Sequence, residues 1–374
     1  MGQPQVVVEA HNQEVPEVES AMNPKKAILI AGAGMAGAGL LCAGTAAAVL
    51  VQGIGRRKAR RLNGKVVLIT GSSRGLGLAM AEEFGRRGAK LVLTARDPWQ
   101  LERTRQSLVE RGAVEDAEQV LTIPADLRQE EEAKHMVEQA TEHFGRIDVL
   151  VNNAGVITVG PVENQHVEDF HEVMESNFYS AVHCALAALP QMLKRRNGTI
   201  VNIASIGGKI AVPHMLPYTA SKFATVGFSE GLHAELRAKG VHVLTVCPGL
   251  MRTGSHLGAQ FGGDAAREYR WFSLAANLPG ISTSAAAAAR RIVRAVMAGE
   301  TEIAITPQAV VTARLAQLAP EIVGLVMGTV NRLLPAAIAG EKQELQRGAD
   351  VRGQELSPVG FLGDAAARRY NQNG

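Results

Sequence analysis

Tyr218 and Lys222 point to acid–base chemistry, because they stand four positions apart in a segment with a helical pattern and therefore share one helix face. A free phenol has a pKa of about 10 and is a poor base at neutral pH. An ammonium group one turn away favours the phenolate, so we expect Lys222 to lower the pKa of Tyr218. The pair could then exchange a proton with a carbonyl or alcohol oxygen, and Ser205 could hydrogen-bond the same oxygen.

A glycine-rich loop over Thr70–Gly77 has the spacing T-G-x-x-x-G-x-G. It joins a short apolar run, Lys65–Thr70, to a predicted helix, Leu76–Arg87. Glycines at such a junction let the backbone approach a pyrophosphate, whose charge meets the positive end of the helix. Taken alone, the loop is also consistent with an ordinary glycine-rich turn.

Short apolar runs alternate with helical stretches from residue 64 to about residue 300. The runs are Lys65–Thr70, Leu91–Leu93, Val120–Pro124, Asp148–Val151, Thr199–Ile203 and Val241–Val246. Strands that alternate with helices predict a parallel sheet covered by helices on both faces. The predicted fold class is therefore α/β, a doubly wound parallel sheet of the Rossmann type in a single domain, with an N-terminal apolar helix and a C-terminal helical extension.

The polar motifs follow these runs in a fixed order. They are TGxxxGxG at 70–77, NNAG at 152–155, Asn177, Ser205, YxxxK at 218–222, Pro248-Gly249 and Thr253. In this order and at these separations the chain resembles the short-chain dehydrogenase/reductase family over about residues 64–300. The resemblance implies a nicotinamide cofactor and hydride transfer between a carbonyl and an alcohol.

The resemblance also assigns roles to individual residues. Asn177, Ser205, Tyr218 and Lys222 would be catalytic, with Asn177 supporting a water chain to Lys222. The residues implied to bind the cofactor are Thr70, Gly71, Ser73, Arg74, Gly75, Leu76, Gly77, Arg96, Asp126, Asn153, Ala154, Gly155, Tyr218, Lys222, Pro248, Gly249 and Thr253.

Two arginines favour NADP(H) over NAD. Relatives that prefer NAD have an acidic residue at the end of the second strand, where this chain has Ala95 followed by Arg96. Arg74 lies within the glycine-rich loop, and two guanidinium groups suit a 2′-phosphate. Asp97 is a counter-indication, because it could serve the ribose if the register shifted. Asp126 either binds the adenine, as the resemblance implies, or caps the following helix.

Composition excludes several classes of protein. The 374 residues are 46% hydrophobic and 20% charged, which is not the composition of a disordered chain. The three cysteines, Cys42, Cys184 and Cys247, are too widely spaced for a disulfide scaffold or a metal motif. The net charge is only +3, and the basic residues cluster in Arg56–Arg61, so no nucleic-acid-binding face is indicated.

The N-terminal region predicts a membrane anchor. Residues 1–26 are acidic and aperiodic, which predicts a mobile tail. Residues 27–55 are predicted to form a transmembrane helix, since Ala27–Val51 has no charge over 25 residues and about 20 span a bilayer. Residues 56–63 form a basic juxtamembrane linker, which places the catalytic domain, residues 64–300, on the cytoplasmic side.

Two alternatives for this segment stay open. Gly32–Gly37 fits G-x-G-x-x-G after a short apolar run and could be a dinucleotide fingerprint. No acidic residue stands near position 55, where a ribose ligand would be expected, which counts against that interpretation. A buried or surface-lying apolar helix is the other alternative, because the segment is rich in glycine and alanine.

The region after the last motif is expected to cover the substrate. Residues 253–284 look irregular and hold an aromatic cluster that could contact an apolar substrate or pack on itself; its members are His256, Phe261, Tyr269, Trp271 and Phe272. Val212, Met215 and Leu216 could also line the pocket, whereas His214 is more simply an incidental histidine.

Residues 301–374 are predicted to be a helical extension that ends in a loosely ordered tail. Apolar residues from Val311 to Leu333 recur at helical spacing, and Pro320 divides them into two helices. The apolar stripe could pack on the domain, on a partner subunit or on a membrane surface, and packing on the domain is the default. The tail over 356–374 shows no clear pattern.

The leading hypothesis is a membrane-anchored, NADP(H)-dependent oxidoreductase that interconverts a carbonyl and a secondary alcohol on an apolar substrate. The alternative is a non-catalytic dinucleotide-binding sensor or scaffold at a membrane. The resemblance also implies a homodimer or homotetramer formed through the helices that carry Asn177 and Tyr218. No metal and no nucleic-acid partner are expected.

Overall fold

The computed structural model describes residues 61–277, 282–339, 344–352 and 360–372, with the side chains of 360–364 outside the description. The predictions for 1–26, for the helix 27–55 with its Gly32–Gly37 alternative, and for most of the linker 56–63 lie outside the described residues. In the part of the chain that is described, no helix is both long enough and apolar enough to span a bilayer.

Within the described residues, seven parallel strands form the main sheet, in the order β11-β7-β6-β4-β1-β2-β3. They are β1 (Val66–Thr70), β2 (Lys90–Ala95), β3 (Val120–Pro124), β4 (Val149–Asn152), β6 (Gly198–Ile203), β7 (Val241–Cys247) and β11 (Glu302–Ala304). The short strands outside it are β5 (Thr158–Val159), β8 (Met251–Arg252), β9 (Gln260–Phe261), β10 (Thr283–Ser284) and β12 (Gln346–Arg347). Every residue of β1 is buried, as expected for a central parallel strand covered on both faces.

Helices cover both faces of the sheet. Before residue 300 they are α1 (Gly75–Gly85), α2 (Pro98–Glu110), α3 (Glu130–Phe144), α4 (Val167–Met174), α5 (Ser180–Arg195), α6 (Leu216–Leu236), α7 (Ala265–Asn277) and α8 (Ala285–Ala298). Phe84 of α1 and Ile292 of α8 belong to the core on one face, whereas Met136 of α3 and Cys184 of α5 belong to the core on the other. The predicted doubly wound fold is confirmed.

The strand order reverses between β1 and β4, which places a crevice at their carboxyl ends. β1 pairs with β2 on one side and with β4 on the other. The connections that leave β1 and β4 therefore diverge to opposite faces, and ligands of open α/β sheets bind in the resulting crevice. The glycine-rich loop follows β1 and the NNAG motif spans the end of β4.

Residues 253–277 and 282–284 contain a long helix and short strands, which corrects the irregular structure expected for 253–284. β9 pairs with β5 and β12 in a three-stranded sheet, and β8 pairs with β10. α7 buries Tyr269 and Phe272 against Phe261, so its helical pattern is carried by aromatic residues among charged ones. The strands here are only two residues long, too short to give a periodic signal.

The C-terminal extension forms helices on either side of Pro320, as predicted. They are α9 (Pro307–Leu318) and α10 (Pro320–Asn331), followed by α11 (Gly348–Arg352) and α12 (Gly360–Arg369). We expected residues 356–374 to be loosely ordered, but residues 360–372 contain α12 and a segment that packs on the domain, so that prediction is wrong for them. α12 contacts α7, and the residues after it pack on the glycine-rich loop.

Candidate active site

A cavity of about 1040 Å³ lies at the carboxyl ends of the central strands. Ligand pockets commonly measure roughly 300–1,000 Å³, so this one has room for a large ligand. The sequence-predicted residues that line it are Gly71, Ser73, Arg74, Gly75, Leu76, Arg96, Asp126, Asn153, Ala154, Gly155, Ser205, Tyr218, Lys222, Pro248, Gly249 and Thr253. Three others, Thr70, Gly77 and Asn177, lie behind the wall.

The glycine-rich loop is shaped by two left-handed residues. Gly71 has φ of +60° and Gly75 has φ of +58°, a region that side chains disfavour. A Cβ on Gly71 would lie 2.9 Å from the Cα of Ala154, so a side chain there would push the two loops apart. The loop leads directly into α1, and N–H groups at the start of a helix are suited to an anion. The N–H of Gly75 itself donates a 2.8 Å hydrogen bond to the Tyr370 carbonyl, so the N–H groups that follow it would have to bind the anion.

Thr70 and Asn153 join the glycine-rich loop to the NNAG segment. The Thr70 hydroxyl accepts hydrogen bonds from the backbone N–H groups of Asn153 (2.8 Å) and Ala154 (2.9 Å). The Asn153 side chain donates to the carbonyl oxygens of Thr70 (2.9 Å) and Gly71 (3.0 Å). A Cβ on Gly77 would collide with the Gly71 carbonyl in the same place. These contacts hold together the two loops that form this part of the cavity wall.

Ser205, Tyr218 and Lys222 meet at the cavity wall. Tyr218 and Lys222 are on the first two turns of α6, and Ser205 lies just beyond β6. A hydrogen bond joins the Tyr218 phenol to the Ser205 hydroxyl, which also accepts from the backbone N–H of Gly207 at 3.0 Å. The Lys222 Nζ lies 5.6 Å from the centre of the Tyr218 ring. The predicted shared helix face is therefore observed.

Burial opposes the lowering of the Tyr218 pKa that we expect from Lys222 together with a positively charged nicotinamide ring. Burial raises the pKa of Tyr218, and the hydrogen bond from Ser205 offsets only part of that effect. Burial also lowers the pKa of Lys222 to about 8, and its ammonium donates a 3.0 Å hydrogen bond to the Ile203 carbonyl. Desolvation thus disfavours the charged forms of both side chains.

Asn177 lies in a single π-helical turn, Glu175–Tyr179, between α4 and α5. Its side chain accepts from the backbone N–H of Val156 (2.7 Å) and donates to the Val156 carbonyl (3.0 Å) and the Ser221 hydroxyl (2.9 Å). Such turns are frequent at functional sites. Asn177 thereby fixes the loop after β4 to α6, next to Lys222.

Arg74 and Arg96 lie on the cavity wall near a third arginine, Arg347, that the sequence analysis did not identify. Burial lowers the pKa of Arg74, and the positive charges of Arg347 and Arg96 lower it further. In the described part of the chain, none of the three is within ion-pair distance of a carboxylate. Arg347 was missed because it follows the last motif by nearly a hundred residues.

The carboxylates of Asp126 and Asp97 both accept hydrogen bonds from groups of the protein. The Asp126 carboxylate binds the Arg128 guanidinium, which lowers the Asp126 pKa. Asp126 does not cap α3, since the capping position is Gln129. Asp97 caps α2 by accepting from the N–H groups of residues 99 and 100, at 2.9 and 3.2 Å.

The other end of the cavity is apolar. It is lined by Val212, Met215, Trp271, Phe272 and, from α10, Met327. Phe261 and Tyr269 instead pack edge-to-face with each other, 5.5 Å between ring centres. Part of the aromatic cluster therefore lines the cavity and part of it packs on itself, and contact with an apolar substrate stays a prediction.

His214 is not incidental, since it belongs to a buried polar cluster beside the apolar end. Its Nδ1 lies 2.8 Å from the carboxylate of Glu268, which is fully buried, and the Trp271 indole N–H donates to the other carboxylate oxygen at 2.6 Å. His214 has φ of +61°. The cluster connects the loop before α6 to α7. It was not predicted from the sequence because His214 and Glu268 lie far apart in the chain.

Residues 65–259 match the family described as short chain dehydrogenase, which is more than half of the 374 residues. The chain therefore belongs to the short-chain dehydrogenase/reductase family, and the predicted resemblance is confirmed.

Individual relatives match a similar part of the chain. A dehydrogenase/reductase SDR family protein 7-like of Anopheles gambiae is 39% identical over 207 residues, which are 55% of this chain and 65% of that protein. An 11-beta-hydroxysteroid dehydrogenase 1A of Arabidopsis thaliana is 38% identical over 206 residues, 54% of this chain and 57% of that protein. The chain thus spans less than two thirds of the length of these two relatives.

A solved structure shares the fold. The crystal structure of a short chain dehydrogenase/reductase from Burkholderia phymatum, in complex with NAD, matches with a TM-score of 0.64 and 29% identity. The match covers 70% of this chain and 96% of that one.

Proposed function

We propose that the protein is an NADP(H)-dependent oxidoreductase that interconverts a carbonyl and a secondary alcohol on an apolar substrate. The observation that carries the proposal is the group formed by Ser205, Tyr218 and Lys222 on one wall of the cavity, beside the glycine-rich loop. The residues fit a dinucleotide, because left-handed glycines open the loop at the first turn of α1 and Arg74 lines the cavity with no ion-pair partner in the described part of the chain.

Three side chains carry out the acid–base chemistry at the carbonyl or alcohol oxygen of the substrate. A bound nicotinamide supplies or accepts the hydride. During reduction, Tyr218 donates its phenolic proton to the carbonyl oxygen, since its raised pKa keeps it protonated at neutral pH. The Ser205 hydroxyl hydrogen-bonds the same oxygen. Lys222, with a pKa of about 8, carries a positive charge at pH 7 and stabilises the phenolate that is left.

The preference for NADP(H) is supported by the charges at the loop. Arg74 and Arg96 can form charge-assisted hydrogen bonds with a 2′-phosphate. Asp97, which could have served the ribose of NAD, has its carboxylate held by the first turn of α2. A phosphate near Arg74 would also offset the repulsion between the guanidinium groups.

The apolar substrate is supported by the lining beyond Tyr218, where Val212, Met215 and Phe272 face the cavity. The test follows NADPH consumption by the purified protein over carbonyl compounds graded by chain length and ring count. We expect turnover of apolar ketones or aldehydes. Cofactor binding without consumption over the whole set would instead favour the non-catalytic sensor or scaffold.

Membrane attachment on the cytoplasmic side is also proposed. Its support is the charge-free run Ala27–Val51 followed by the basic residues of 56–61. A homodimer or homotetramer is proposed as well, supported by the exposed apolar side chains of Tyr179, Leu186 and Phe223 on and beside α5 and α6. Light scattering of the purified protein would measure the number of subunits.

A further inference from the structure

The C-terminal extension returns to the cofactor end of the cavity through β12. Arg347 pairs with Gln260 of β9, and the N–H of Gly348 donates a 2.9 Å hydrogen bond to the Ala259 carbonyl. Both Arg347 and Gln260 line the cavity. Backbone pairing with β9, in the region that follows β7, thus holds Arg347 of the C-terminal extension in place.

Arg74 lies next to this segment. A Cβ built on Gly258 would be 3.6 Å from Arg74 Nη2 and 3.6 Å from Gln372 Oε1, so Arg74 and the end of the chain both reach the same loop. Arg74 is half-buried, and the charges of Arg347 and Arg96 both act on it. Among the described residues, no carboxylate forms an ion pair with any of these three arginines.

These three guanidinium groups line one cavity and have no ion pair among the described residues, so their combined positive charge favours the binding of an anion there. The pyrophosphate of a dinucleotide can be bound by backbone N–H groups at the start of α1. A 2′-phosphate has no such backbone cradle, carries about two negative charges, and suits several arginines.

We propose that Arg347 is a third phosphate-binding arginine of the cofactor site, and that it binds the 2′-phosphate of NADP(H) together with Arg74 and Arg96. The inference rests on the proposed preference for NADP(H), and it assigns a cofactor-binding role to the C-terminal extension. Arg347 would act as a specificity-determining residue, because NADH offers it no phosphate at that position.

The experiment compares the full-length protein with Arg347→Ala, Arg347→Lys and the control Arg368→Ala. The control removes the same charge from an exposed residue of α12 that does not line the cavity. Dissociation constants for NADPH and NADH are measured by titration calorimetry, after thermal unfolding has shown that each variant is folded.

We expect Arg347→Ala to weaken NADPH binding by about tenfold, which corresponds to about 1.4 kcal/mol, and to change NADH binding by less than about twofold. Arg347→Lys should lose less, since it keeps the charge but not the paired donors. Arg368→Ala should bind both cofactors like the wild type.

The outcomes separate this inference from the proposed function. A wild type that prefers NADPH, with an Arg347→Ala variant that keeps the full preference, overturns the inference alone. An equal loss for NADPH and NADH also overturns it, because it would place Arg347 at the pyrophosphate. A wild type that binds NADH as tightly as NADPH overturns the cofactor preference and this inference together.

Discussion

The backbone N–H of Gly75 donates a 2.8 Å hydrogen bond to the carbonyl oxygen of Tyr370. Gly75 is the first residue of α1, and the N–H groups of a first helical turn have no partner inside the helix. Tyr370 is buried in the same core as α1, and Asn371 reaches the Ser73 carbonyl at 3.3 Å. The end of the chain therefore holds the glycine-rich loop in position.

Tyr370→Ala should destabilise the protein and weaken NADPH binding. The substitution leaves a cavity beside α1, and replacing a large buried aromatic residue by alanine costs about 3–5 kcal/mol. A displaced carbonyl would no longer hold the N–H of Gly75. Chemical denaturation and NADPH titration well below the unfolding temperature measure the two effects.

The matched control is Tyr370→Phe, which keeps the ring and the backbone carbonyl. We expect its free energy of unfolding and its NADPH affinity to stay close to the wild type. If Tyr370→Ala is less stable but binds NADPH normally, the contact is purely structural.

Tyr218→Phe should abolish turnover and spare cofactor binding. The ring still packs, but the hydroxyl that is hydrogen-bonded to Ser205 is removed. Loss of a general acid typically costs about 10²–10⁴ in rate. The measurement is kcat with the best carbonyl from the library, beside the dissociation constant of NADPH. Retained activity would exclude the proposed role of Tyr218.

Lys222→Met should raise stability at neutral pH while reducing activity. The pKa of Lys222 is lowered from 10.5 to about 8 in the folded protein, so between these values the unfolded chain binds more protons. The wild type should therefore gain stability as the pH rises from about 8 to 10.5, by about 1–3 kcal/mol.

Denaturant titrations at pH 7 and pH 10 check this expectation. The variant has no ammonium to desolvate, so its advantage over the wild type should shrink towards pH 10. An advantage that is the same at both pH values would contradict the assignment of the effect to Lys222 ionisation.

Glu268→Gln should raise KM for the carbonyl substrate and leave NADPH binding unchanged. Glu268 accepts from Trp271 and contacts His214, and both partners belong to segments beside the apolar end of the cavity. A glutamine amide has one acceptor oxygen where the carboxylate has two, so it cannot accept hydrogen bonds from Trp271 and His214 at once. The contact that fixes the orientation of the Trp271 side chain is therefore weakened. Asp264→Asn, at the half-buried residue that precedes the same helix, serves as the control, because asparagine can still accept the hydrogen bond from the N–H of Arg267. An unchanged KM would show that the cluster supports only the fold.

Deletion of residues 1–61 should release the protein from membranes without loss of the fold. Among the described residues, the first that belongs to the core is Leu62, which the deletion keeps. Fractionation of cells that express the full-length and the shortened chain measures the partition. A full-length chain that is found in a membrane-free extract would contradict the anchor.

The sequence by itself determined the fold and most of the cavity wall, because these depend on short-range patterns. Alternating apolar runs and helices specify the sheet, and the spacing of Tyr218 and Lys222 puts them on one face whatever else the chain does.

Only the tertiary structure decided what lies around those groups. Whether the Tyr218 pKa falls or rises depends on how deeply the phenol is buried, which no local pattern reveals. Arg347 lines the same cavity as the glycine-rich loop, Tyr370 contacts that loop, and Glu268 contacts His214, although these residues lie far apart in sequence. Such contacts form only when the chain packs, since each side chain alone could equally well face solvent.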